Sequence, residues 1–175
     1  MNKRWEILPI DEKKQILLEK NLHISSSLAE ILTRKNLDEN SAKLFLNPTK
    51  IPYHDPFLLK DMEKACQRLL LALKNKEKIC IYGDYDVDGV SSTVLLMTVF
   101  TKLGFNIDYY LPDRHSEGYG LHIESLQKLI PKYDLLITVD CGITALDEVD
   151  YAKDKIDMII TDHHLPREIL PDAFA

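Results

Sequence analysis

The chain has 175 residues, 45% hydrophobic and 29% charged, with 22 Lys+Arg against 28 Asp+Glu and a net charge of −6. That length suits one ordinary domain, or a small domain with an appendage, and the apolar share argues against disorder. Val94 to Phe100 is too short an apolar stretch to cross a bilayer, Met1-Asn2-Lys3-Arg4-Trp5-Glu6 lacks a secretion-signal core, and Cys66, Cys80 and Cys141 form no CxxC pair, so a zinc ribbon or disulfide framework is disfavoured and a cytoplasmic setting expected.

The first seventy-odd residues read as short helices. Ser27-x-x-Glu30 resembles a capping box ahead of Leu28, Ile31 and Leu32. Asp38 is expected to cap a short helix through Leu44, Phe45 and Leu46, stopped at Pro48. A Pro-containing connection follows, from Asn47-Pro48 to Asp55-Pro56. From Asp61 onward, Met62, Ala65, Cys66, Leu69, Leu70 and Leu73 fall at helical spacing, which predicts an amphipathic helix leading into the main domain. Residues 1–75 are therefore taken as a helical amino-terminal region, and 76–175 as a second domain.

After Lys78 the pattern changes. Ile79-Cys80-Ile81-Tyr82 predicts a first strand, and Ser91 to Leu103 a buried helix closed by Gly104. Phe105 to Leu111 predicts a second strand, and Ile123 to Ile130 a helix ending before Pro131. Leu135 to Val139 is a third strand, Ala145 to Lys153 a helix, and Asp157 to Thr161 a fourth strand. Alternating strands and helices imply βαβ units, hence an α/β fold with a parallel, doubly wound sheet.

Ligands in such sheets bind beyond the carboxyl ends of the strands. All four strands run there into polar residues: Gly83 to Gly89, Pro112 to Gly120, Asp140-Cys141-Gly142 and Asp162-His163-His164. Carboxylates brought close together repel unless neutralised, and divalent cations are the usual remedy. Asp86 and Asp88 can reach one site if their loop is not a regular helix, Asp140 can bridge two ions, and His163 can supply a neutral nitrogen. Hard oxygen ligands favour Mg²⁺ or Mn²⁺, with imidazole tilting the choice toward Mn²⁺. Two such cations suit phosphate-ester hydrolysis. Charge bears on this, because residues 1–80 carry 15 basic and 11 acidic side chains, whereas residues 81–175 carry 7 and 17. A polyanionic substrate would need cations or a basic neighbouring surface to approach the acidic half.

Other readings compete. Asp84-x-Asp86-x-Asp88-Gly89 looks like the start of an EF-hand, but Leu95 stands where that loop needs Glu, and a strand precedes it. Asp86-Val87-Asp88-Gly89-Val90 after a strand also resembles haloacid-dehalogenase-like phosphatases, in which the Asp162-His163-His164 segment is not expected. No GxxxxGK[ST] phosphate loop occurs.

At these residues the chain resembles the DHH phosphoesterase superfamily, and within it the single-stranded-DNA-specific exonucleases. The likeness is carried in order by Tyr82-Gly83-Asp84-Tyr85-Asp86-Val87-Asp88-Gly89, by Leu111-Pro112-Asp113-Arg114 with Glu117-Gly118-Tyr119-Gly120, by Val139-Asp140-Cys141-Gly142, and by Thr161-Asp162-His163-His164-Leu165-Pro166. Asp55 to Met62 is similar to the lead-in of those enzymes. Any one segment is weak; four in order are specific.

The resemblance implies Mn²⁺- or Mg²⁺-dependent 5′→3′ degradation of single-stranded DNA in recombination and repair, using two ions. Single-strand-binding protein and a RecQ-type helicase are the partners it implies. Matching positions give Asp84, Asp86, Asp88, Asp140 and His163 as metal ligands, with Asp140 bridging. Asp84 stands in for a His that some relatives carry at the position of Tyr82. His164 would contact or protonate the scissile phosphate, and Arg114 would hold substrate phosphate. A loop or cap role is expected for His115 and His122. Family members carry a further metal-binding Asp on a later strand and a carboxyl-terminal DHHA1 domain; the chain stops before either, so a fragment with most of the metal centre and no complete cleft is expected. The alternatives are a small-nucleotide phosphodiesterase of the same superfamily, a haloacid-dehalogenase-like phosphatase, and a non-catalytic nucleic-acid-binding remnant.

Overall fold

A computed structural model describes residues 9–175, so the expectation that Met1 to Glu6 carries no secretion signal falls outside the described residues. The chain forms two compact units, Met1–Asp55 and Pro56–Ala175. This division differs from the boundary expected at residue 75, and the reason is a helix: Met62–Asn75 packs Ala65, Leu69 and Ala72 against the sheet of the second unit. Among the described residues no helix is long and apolar enough to cross a membrane.

The first unit holds α1 (Glu12–Leu22), α2 (Ser26–Arg34) and α3 (Glu39–Leu46). Each starts at a polar cap whose side chain takes up one otherwise unbonded backbone N–H. Asp11 accepts from Lys14, Ser25 from Leu28, and Asp38 from Ser41. The cap of α2 is therefore Ser25 and not Ser27, because Ser25 is the last residue with extended backbone angles before the helix. Glu30, assigned to a capping box, instead pairs with Arg34 one turn on. Leu18, Ala29, Leu32 and Ala42 form the buried centre of this unit.

The second unit is a four-stranded parallel sheet. After α4 (Met62–Asn75) come β1 (Lys78–Tyr82), α5 (Val87–Leu103), β2 (Asn106–Tyr110), α6 (Ile123–Leu129), β3 (Leu135–Val139), α7 (Leu146–Ala152) and β4 (Asp157–Thr161). Spatial order is β2-β1-β3-β4, with Ile81 aligned to Tyr109 on one side and Ile137 on the other. Chain direction away from β1 reverses between β1 and β3, which is the switch point where such sheets open a crevice.

Side-chain alternation divides the core into two layers. Ile79, Leu135, Ile137 and Ile159 face Ala72, Leu96 and Phe100 of α4 and α5, whereas Cys80, Tyr82, Leu136 and Met158 face Leu126, Leu129, Val149 and Ala152 of α6 and α7. Helices thus cover both faces, as a doubly wound fold requires. Burial pushes the Cys80 thiol up to about 12, so it packs as an apolar group.

Two details depart from expectation. Helix α5 starts at Val87, not Ser91, because the Asp86 carboxylate accepts from the N–H groups of Asp88 and Gly89, at 3.0 Å each, and caps it earlier. Nor is α5 buried all round: Val87, Val94, Leu95, Val99 and Leu103 are exposed. A continuous apolar run carries no stripe from which the inward face can be read. Beyond β4, the N–H groups of Phe174 and Ala175 donate to Met158 O, and Ile160 N–H donates to Ala175 O, so the last residues lie hydrogen-bonded along the β4 edge.

Candidate metal centre

The loop after β1 is folded tightly onto the first turn of α5. A Cβ at Gly83 would lie 2.2 Å from Thr93 Oγ1, and one at Gly89 would lie 2.5–2.7 Å from the backbone of Asp84, so neither position has room for a side chain. This packing buries Asp84 to 1% exposure, with its Oδ1 buried and without a hydrogen-bond partner. Such an orphaned carboxylate oxygen is costly unless something positive meets it. Asp86, the α5 cap, is held below the ordinary carboxylate range, chiefly by the N–H of Gly89.

The loop after β3 brings Asp140 to the same rim. Its backbone is left-handed, with φ 62°, a region that Asp tolerates better than most residues. Asp140 N–H donates to Thr161 O at 3.0 Å, which extends the β3–β4 pairing by one bond, and Gly142 turns the chain away at φ 110°. Burial raises Asp140 above the usual carboxylate range, and the nearby Asp86 charge raises it further.

After β4, Asp162 turns inward. Its carboxylate accepts from Ile143 N–H and His164 N–H, at 3.0 Å each, and lies 2.7 Å from His164 Nδ1. Burial works against its charge, but those two backbone donors hold it below the ordinary range. The hydrogen bond that Asp162 accepts from His164 in turn raises that imidazole. His163 reaches Asp140 instead, with Nε2 at 2.9 Å from Oδ1, while its ring is 70% exposed.

Two overlapping sets of potential ligand atoms result. Those of Asp84, Asp86 and Asp140 lie within 4.8 Å of one another, as do those of Asp140, His163 and His164. Asp140 belongs to both. Three carboxylates, one raised and one with an orphaned oxygen, beside two imidazoles are a donor set that fits hard divalent cations such as Mg²⁺ or Mn²⁺.

Of the residues singled out from sequence, Asp84, Asp86, Asp140, His163 and His164 are brought together. Asp88 is not: it lies in the first turn of α5, exposed, with its N–H on Asp86, because the loop becomes helical one residue before it. Arg114 places its guanidinium 4.6 Å from the ring centroid of Tyr85, the residue between Asp84 and Asp86. His115 lies in the loop after β2, and His122 precedes α6 as its cap residue. Two contributors were missed. Asp162 orients His164, and Tyr119 places its hydroxyl 3.2 Å from His164 Nδ1. Both sit inside segments quoted for the resemblance, but a side chain acting through a neighbour has no signature of its own.

The model of the DHH family, N-terminal domain, matches residues 78–175. The single-stranded-DNA-specific exonuclease RecJ of Bacillus subtilis is 42% identical over 175 residues, covering 98% of this chain and 22% of its own length. The RecJ of Haemophilus influenzae is 40% identical over 148 residues, covering 83% of this chain and 24% of its own length. The chain thus spans about a fifth to a quarter of the curated relatives it matches. Among solved structures, Thermus thermophilus RecJ in complex with Mn²⁺ superimposes with a TM-score of 0.70 at 26% identity, covering 98% of this chain and 24% of the other. A crystal structure of exonuclease RecJ bound to manganese gives 0.65 at 34% identity, covering 70% of this chain and 32% of the other.

Proposed function

From the premise that this chain belongs to the DHH family, we propose that it carries the metal-binding part of a 5′→3′ exonuclease acting on single-stranded DNA in recombination and repair. The observation that carries the reading is the pair of ligand sets sharing Asp140. Asp84, Asp86 and Asp140 would hold one cation, and Asp140 with His163 a second. Mn²⁺ or Mg²⁺ bound there supplies a water of lowered pKa and charge to offset the phosphate oxygens.

The chain's own residues do the rest. Asp86 stays ionised on the amide N–H of Gly89, and so keeps its donor oxygens at neutral pH. Asp162 keeps the Nδ1 of His164 engaged and leaves Nε2 for the scissile phosphate or the leaving oxygen. Arg114, stacked on Tyr85, offers a planar guanidinium to a neighbouring phosphate. Asp88, exposed on the first turn of α5, can orient outer water rather than bind an ion directly. The acidic balance of residues 81–175 makes bound cations a condition for polyanion approach. A cytoplasmic location, drawn from the cysteine pattern and the polar amino-terminal sequence, and single-strand-binding protein and a RecQ-type helicase as partners, drawn from likeness, belong to the same proposal.

The test is cleavage of end-labelled single-stranded and duplex DNA by the chain with Mn²⁺. The expected result is Mn²⁺ binding abolished by Asp140→Ala, with at most weak release of nucleotides from the 5′ end of single strands by a chain that spans 22% of the Bacillus subtilis relative. Degradation of a dinucleotide but not of long strands would favour a small-nucleotide phosphodiesterase, and Mn²⁺ affinity unchanged by Asp140→Ala would overturn the metal centre.

A further inference from the structure

Loops from three different strands meet at a side chain that the proposed chemistry leaves unused, Tyr119. Its loop is anchored from beneath. The Glu117 carboxylate accepts from the Tyr110 hydroxyl, from Ser125 Oγ at 2.8 Å and from Asp113 N–H at 2.8 Å. The buried Tyr82 hydroxyl donates to Gly120 O at 3.0 Å. Gly118 and Gly120 adopt φ of 83° and 88°, which turn the chain so that Tyr119 points back across the ends of β3 and β4. There its hydroxyl donates to Asp140 O at 3.4 Å and lies 3.2 Å from His164 Nδ1. The two rings meet edge-on, with centroids 5.8 Å apart.

Counting hydrogens defines what that hydroxyl can do. A carboxylate oxygen accepts, so the hydrogen in the 2.7 Å contact between Asp162 and His164 belongs to Nδ1. The single hydrogen of Tyr119 goes to the Asp140 carbonyl, and an oxygen lone pair is left facing the same Nδ1–H. One hydroxyl therefore ties the left-handed turn at Asp140 to an imidazole whose side chain is 45% exposed.

Resting on the hydrolytic reading above, we propose that Tyr119 is a positioning residue, which holds the His164 ring on Asp162 and the Asp140 turn beside it in one arrangement. Without the hydroxyl, a single hydrogen bond to Asp162 restrains a half-exposed ring.

Tyr119→Phe, made in the full chain, keeps the ring edge and removes only the hydroxyl. Long-range NMR of ¹⁵N-labelled histidine rings should show one sharp His164 pattern in the parent, shifted and broadened in the variant. The midpoint of thermal unfolding should be nearly unchanged. Mn²⁺ affinity measured calorimetrically should fall no more than about threefold, while kcat on labelled single-stranded DNA drops about tenfold with little change in KM. A His164 pattern identical in parent and variant overturns the proposal. Failure of the parent to bind Mn²⁺ would count against the hydrolytic reading alone, since the NMR comparison still decides the role of Tyr119.

Discussion

Asp140 combines a left-handed backbone, a nearly buried carboxylate and a neighbouring negative charge, and its ionisation is correspondingly disfavoured. Its folded value lies above the ordinary one. The neutral carboxyl therefore contributes stability below the ordinary carboxylate pKa, and that contribution is lost as pH rises through the folded value. Asn tolerates the same backbone and never ionises. Asp140→Asn should unfold at a higher temperature than the parent at pH 7 without metal, and should lose the further rise that Mn²⁺ gives the parent. An equal Mn²⁺-induced rise in both, followed by circular dichroism, would remove Asp140 from the ion site. At His164 the sign is the usual one for a partnered imidazole: stabilisation below the ordinary imidazole pKa, lost as pH rises through the raised folded value. Asp162→Asn should bring that value back down in an NMR titration. A value that does not move would mean that another group holds the ring.

Helix α5 and the loop before it act as one element, because Gly89 lets the helix backbone rest on Asp84. Gly89→Ala puts a Cβ 2.5 Å from Asp84 O, against backbone that cannot swing aside. Overpacking of this kind costs about 1–3 kcal/mol, and the displaced loop should weaken Mn²⁺ binding as well. Denaturant unfolding with a metal titration measures both; loss of stability with undiminished affinity would separate the glycine from the site. Helix α4 is fastened differently. Arg68, 8% exposed, places Nη1 2.6 Å from Glu77 Oε2 and Nε 2.6 Å from Asp157 Oδ2, and Nη2 donates to Asp134 O. Removing one partner of a buried ion pair costs about 3–5 kcal/mol, but the Asp157 side chain is 43% exposed and solvent screens its share. Arg68→Ala should therefore lose roughly 2–3 kcal/mol in urea unfolding. Arg68→Met, which keeps the apolar stem, should lose less. Equal losses would assign the effect to the ion pairs alone, with nothing from packing of the stem.

Across the whole chain, the 17 acidic against 7 basic side chains of residues 81–175 meet a rim where carboxylates already crowd. A cation that binds only the folded state stabilises it by mass action, by about 2.7 kcal/mol at a hundred times its dissociation constant. Protons compete for the raised Asp140 carboxylate, so the Mn²⁺-induced rise in unfolding temperature should be larger at pH 8 than at pH 5, and EDTA should reverse it. A rise of equal size at both would mean that protons do not compete for the ion site. The strands, their order along the chain and the polar segments that end them were legible in the sequence. Alternation and helical spacing are local properties, and Leu135–Val139 and Asp157–Thr161 read the same from pattern and from structure. Helix starts were less legible, since Asp86 and Ser25 became caps through backbone angles that no spacing records. Arg68 was invisible because its partners lie on other elements. From the residues alone came the parallel α/β fold, the rim of four strand ends and the residue types that can hold a cation. Only tertiary structure decided that Asp84, Asp86 and Asp140 bring potential ligand atoms within 4.8 Å of one another, and that Tyr119 reaches His164. A ligand set is a matter of distances between side chains from separate strands, and those depend on sheet order, register and loop packing rather than on position along the chain.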